Sequence, residues 1–174
     1  MRSFTRVAII SLSVVAAFIV SCGVIDSISS RPPKEEKIVS DFRAHRASYE
    51  RVRTMLSEDK GVTSVADFGV ERYESLDWKI PPDDRMPIKR YQEYLALLKE
   101  IGSMRVDQGG DPFEVAFGYW GSGWGGDTRH LNVCWLEHEP TNTVASLDAF
   151  YRTEKPRRDS YVHIDGNWYI WADW

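Results

Sequence analysis

The chain has 174 residues, 43% of them hydrophobic and 28% charged, and a formal net charge of −4. That length suits one domain with a substantial core. The acidic balance makes the chain a poor candidate for a nucleic-acid partner or for an anionic lipid surface, so no nucleic acid is expected.

The N-terminus is organised as three successive parts. Arg2 and Arg6 make it basic, and no acid precedes Asp26. Val7 to Val20 is an uncharged, mostly apolar run, broken only by Ser11 and Ser13. Small residues then surround Cys22. Basic start, apolar run and small-residue zone are the anatomy of a secretory signal. Ile19-Val20-Ser21-Cys22 follows the order aliphatic, branched, small, cysteine, and it resembles the lipobox of bacterial lipoproteins. That resemblance implies cleavage before Cys22, a diacylglycerol on its sulfur and acylation of the new amino end. Several acyl chains make anchoring stable where a single one is marginal. Gly23 rather than Asp follows the cysteine, which by resemblance to enteric sorting favours the outer membrane facing the periplasm. Two other readings stay open at this point. Val7 to Ile25 is long enough for an uncleaved anchor, and ordinary cleavage would free a secreted protein.

The expected organisation is a signal peptide over 1–21, a lipidated cysteine and flexible tether over 22–36, and one globular domain over 37–174. Loss of the signal removes two arginines and no acid, so the mature chain is more acidic than the whole. With Cys22 lipidated, Cys134 has no partner and is expected to pack as a small buried hydrophobe. Gly23 to Glu36, rich in Ser and Pro, lacks a periodic apolar face. At about 3.3 Å per residue it reaches roughly 45 Å.

Ile38, Phe42, His45, Tyr49, Val52 and Leu56 predict one helix over 37–60, stopped by Gly61. Val62 to Phe68 reads as a short strand and Glu71 to Asp84 as loop. Ile88, Tyr91, Leu95 and Leu98 form a second helical stripe after Pro87, ended by Gly102. Alternation over 113–119 and 129–137 predicts a hairpin with the glycine-rich tip 121–127. A short helix over 144–151 follows. Asp165-Gly166 between aromatic, β-branched runs predicts a closing two-residue hairpin. Hairpins exclude a parallel sheet. The expected fold is therefore α+β: an antiparallel sheet of four to five strands with two long helices packed on one face. A lipobox, a leading helix and a closing aromatic hairpin resemble small bacterial envelope proteins.

Candidate chemistry is sparse. Six of the seven tryptophans lie at or after Trp120. Trp135 and one face of the last hairpin are expected to fill the core. Trp124, inside Gly-Ser-Gly-Trp-Gly-Gly, has no such obligation, so Trp120, Trp124 and Asp127 are the candidate ligand or partner contacts. His130 and His138 stand eight residues apart on one strand, about 27 Å, too far for one ion. No metal and no cofactor are expected. Cys134 lies four residues from either histidine, about 13 Å, within an apolar strand that raises a thiol pKa. His45 reads as a satisfied, half-buried histidine, and Arg43, Arg46, Arg51 and Arg53 as a solvated face pairing with Glu50 and Glu58.

The reading these features support is a membrane-anchored envelope lipoprotein with a non-enzymatic binding or structural domain. Its partners would be the membrane, through the lipid, and an envelope protein or glycan. An envelope enzyme acting on wall or lipid, using Asp127 and Glu137 near His163, is the alternative, as is a toxin-immunity or inhibitor protein.

Overall fold

The computed structural model describes residues 31–82, 86–109, 114–123, 128–150 and 159–173. Pro33–Trp174 forms one compact unit. Its helices are α1 (Glu35–Ala44), α2 (Arg46–Glu58), α3 (Ile88–Ile101) and the single turn α4 (Leu147–Phe150). Its strands are β1 (Val62–Ala66), β2 (Gly69–Arg72), β3 (Ser75–Lys79), β4 (Arg105–Gly109), β5 (Glu114–Ser122), β6 (Arg129–Leu136), β7 (Ser160–Asp165) and β8 (Trp168–Asp173).

The eight strands make one antiparallel sheet in the order β3-β2-β1-β4-β5-β6-β8-β7. The expected sheet of four to five strands under two long helices is therefore corrected on both counts. β2, β3 and β4 carry little alternation. Among the described side chains of these strands, Val70 and Val106 are the ones in the main core. They pair because neighbouring strands offer free backbone groups, which a buried sheet must satisfy. The segment read as loop, 71–84, thus contains β3 and the end of β2.

The expected first helix is two helices. His45 interrupts it with φ −119° and ψ 20°, and its Nδ1 lies 3.0 Å from the Asp41 carbonyl oxygen. The physical reason lies in the aromatic cluster beneath. Phe42 and Tyr49 are seven residues apart, about 10.5 Å along a straight helix. Yet their rings are 5.2 Å apart, and they lie 5.1 and 5.7 Å from that of Trp168. The bend lets both reach the same indole. Trp168 is fully buried and its Nε1 donates to Glu50 Oε1 at 2.9 Å, so its one polar atom is satisfied.

α3 meets its sequence expectation in part: Tyr91 and Leu98 of the expected stripe are buried, whereas Ile88 is exposed and Leu95 half-buried. Tyr91, Tyr94, Leu98 and Ile101 are its buried residues. Gly102 ends it in the left-handed region at φ 73°, with Gly102 N–H donating to the Lys99 carbonyl and Ser103 N–H to that of Leu98. The closing hairpin also forms, but its two loop residues are Gly166 and Asn167, between paired Asp165 and Trp168. The turn thus lies one residue later than the Asp-Gly signal suggests.

One face of the sheet carries the main core. Val65, Val106, Val115, Phe117, Leu131, Val133, Val162, Ile170 and Ala172 meet the apolar sides of α1, α2 and α3 there. The alternate residues of β5 to β8 point the other way and build a second, smaller cluster of Ala116, Cys134, Leu136 and Tyr169. Period-two alternation sends successive side chains to opposite faces, so a sheet with helices on one side presents a separate surface on the other.

Candidate functional site

That second surface gathers aromatic rings and carboxylates from four strands. Tyr161 on β7 and Trp171 on β8 are register partners. Their rings lie nearly parallel, 13° apart in plane, with centroids 6.4 Å apart. Tyr169 meets Tyr161 edge-on at 6.5 Å, and His163 packs against Tyr169 at 5.2 Å. Asp159, just before β7, accepts a 3.1 Å hydrogen bond from Trp171 Nε1. It does so with φ 56°, a conformation uncommon outside glycine.

Glu114 opens β5 on the same face. Its Oε1 is buried without a hydrogen-bond partner among the described residues. Burial, then the charges of Asp159 and Asp107, push its carboxyl pKa above the ordinary value. Burial likewise pushes the Tyr161 hydroxyl up, helped by Glu114, Cys134, Asp159 and Asp173. The surface therefore concentrates negative charge around flat rings. It offers hydrogen-bond acceptors and stacking area, the pair of features that suits a polyhydroxylated or cationic ligand.

Cys134 lies beneath this surface, fully buried, as a free thiol whose Sγ is 3.6 Å from the Tyr169 carbonyl oxygen. Burial, with Glu114 nearby, holds its pKa well above the ordinary value. A protonated, enclosed thiol is a poor nucleophile, as the apolar strand predicts. His163 is exposed, with Nε2 2.8 Å from the Gly166 carbonyl oxygen in its own hairpin. Glu137 is exposed beyond β6, and Asp127 lies outside the described residues. No group of His, Cys, Asp and Glu capable of holding a metal occurs among the described residues.

Of the three tip residues, only Trp120 is described. It stands at a bulge in β5 opposite Leu131 and packs, half-buried, against the main core. Trp124 lies outside the described residues, as does Cys22. The basic helix face is paired more widely than the sequence suggests. Arg53 bonds Glu50 at 3.0 Å and stacks on Trp135, Arg51 bonds Glu93 at 2.7 Å, and Arg46 bonds Asp165. Glu58 instead takes Arg90 at 2.7 Å.

Sequence reasoning does not reveal the Glu114–Asp159–Trp171–Tyr161 assembly, because 45 residues separate Glu114 from Asp159. The alternation of β5, β7 and β8 signals a second face but not who meets whom across it. No family model, no curated protein and no solved structure matches the chain.

Proposed function

We propose that this chain is a bacterial envelope lipoprotein, anchored through Cys22, whose globular domain binds a partner rather than turning over a substrate. The observation that carries the anchor is the ordered signal anatomy ending in Ile19-Val20-Ser21-Cys22. Support for binding comes from the stacked Tyr161–Trp171 pair flanked by Asp159, an arrangement of flat rings and acceptors suited to a sugar ring of an envelope glycan. The enclosed Cys134 thiol and the internally bonded His163 favour binding over covalent chemistry.

Radiolabelled palmitate is expected to enter the wild-type chain and not the Cys22→Ala variant; equal labelling of both, or of neither, refutes the anchor. For the domain, co-sedimentation with purified cell-wall glycan is expected to fall about tenfold in Trp171→Ala, the loss of about 1.4 kcal/mol of binding. Trp124→Ala, run beside it, tests the hairpin tip. Undiminished sedimentation in Trp171→Ala rules out the aromatic face as the contact.

A further inference from the structure

A different part of the sheet carries large apolar side chains in the open. We propose that the rim formed by Phe68, Ile80 and Met104, with Lys79 and Lys99 beside them, rests on the surface of an anionic lipid bilayer. This rests on the lipoprotein reading, which brings the domain to a membrane.

The register puts these residues at one end of four adjacent strands. Phe68 lies in the turn between β1 and β2. Ile80 directly follows Lys79, which pairs with Val70, and Met104 directly precedes Arg105, which pairs with Ala66. They are 54%, 70% and 80% exposed, among the most exposed large hydrophobic residues described. Trp78 stands behind them, its ring 4.5 Å from that of Phe68, with the Arg105 guanidinium 5.3 Å from its centroid. Between this rim and the last turns of α3 runs a groove of about 430 Å³ lined by Leu95, Leu98 and Met104, with Asp67 and Lys99 at its edge.

The chemistry favours lipid as the occupant. Single apolar side chains project outward, which suits shallow insertion among headgroups and acyl chains. Lys79 and Lys99 make no ion pair among the described residues, so both amines are available to anionic headgroups. Their position beside the apolar rim matters in a domain that is acidic as a whole, because it sets two amines at an end of the sheet where Asp67 is the carboxylate lining the groove. The tether permits the posture. Glu35, the first residue of α1, is hydrogen-bonded through its backbone to Asp148. Val144, a few residues before Asp148, bonds β7, the far edge strand. Seven strand spacings of about 4.8 Å, roughly 34 Å, separate that edge from β3, within the roughly 40 Å that the chain from Gly23 to Lys34, ahead of α1, can span. Once the chain is anchored, this second contact is intramolecular, so a few partly inserted side chains are enough.

The test uses the lipidated full-length product, reconstituted into vesicles of phosphatidylethanolamine and phosphatidylglycerol. Met104→Cys carries an environment-sensitive fluorophore, with Tyr73→Cys as the reference. Tyr73 is 65% exposed and follows Arg72 at the opposite end of β2. Buried Cys134 does not compete for the label. Spin-labelled lipid is expected to quench the Met104 probe at least threefold more than the Tyr73 probe. Lys79→Glu with Lys99→Glu, or vesicles without phosphatidylglycerol, should bring the two together while the protein still floats with the vesicles. Equal quenching of both probes in the unaltered background, with flotation intact, overturns the docking proposal and leaves the anchor standing. Failure to float overturns both.

Discussion

Asp59 is the hub on which α2, α3 and the start of the sheet converge, and its removal gives a quantitative test of the helix layer. Its Oδ2 accepts hydrogen bonds from Tyr94 Oη and Arg90 Nε, both at 2.8 Å. Tyr94 is fully buried, and burial followed by the Asp59 contact pushes its hydroxyl pKa up. Hydrogen bonds to charged groups are worth about 1.5–3 kcal/mol each. The Arg90 share is smaller, because Arg90 retains Glu58 at 2.7 Å and Glu93 at 3.5 Å. The Tyr94 share is larger, because its hydroxyl has no other acceptor among the described residues and lies against the core. Asp59→Ala should therefore cost about 3 kcal/mol, and Tyr94→Phe about 1.5 kcal/mol. In urea denaturation of the two single variants and the double variant, the coupling should be about 1 kcal/mol. Coupling within about 0.3 kcal/mol of zero would refute the claim that this carboxylate satisfies the buried tyrosine. Asp59→Asn, which keeps an acceptor for the hydroxyl, should recover part of the loss.

Two further outcomes follow from single positions. The Glu114 carboxyl has a raised pKa in the fold, so its protonated form favours folding. That stabilisation is complete below the ordinary value of 4.5 and is lost as pH rises through the folded value. Glu114→Gln should thus stabilise the protein by about 1 kcal/mol at pH 8, allowing for partial solvent screening, and by almost nothing at pH 4; denaturant midpoints that differ equally at both pH values would contradict this. Gly69 has φ 142°, and a Cβ there would lie 2.8 Å from the Lys79 carbonyl oxygen. Gly69→Ala should cost about 2–3 kcal/mol, read as a lowered thermal midpoint, and an unchanged midpoint would show that the β2–β3 pairing yields freely.

The helix faces were legible in the sequence because their spacing is a property of the backbone. Ile38, Phe42, Tyr49, Val52 and Leu56 are all buried, as their spacing predicts, although the helix bearing them bends at His45. The long strands β5 and β6 were equally legible, since alternation there extends over many residues. β2, β3 and β4 were not. Each has four or five residues and little inward apolar surface, so pairing with neighbours rather than composition decides their state. The candidate contacts divide in the same way. Trp120 and Trp124 look alike in sequence, but a bulge in β5 turns Trp120 toward the core, a consequence of register that no local pattern contains.

By itself the sequence determined what depends on local order along the chain: the apolar stripes of the helices, the closing hairpin, and an apolar setting for Cys134. Tertiary structure alone decided what depends on distant partners. It extended the sheet to eight strands, bent the first helix so that Phe42 and Tyr49 share Trp168, and brought Glu114, Asp159, Tyr161 and Trp171 onto one face. Periodicity specifies which side of an element is apolar, whereas strand order and register specify which side chains meet, and only long-range pairing sets those.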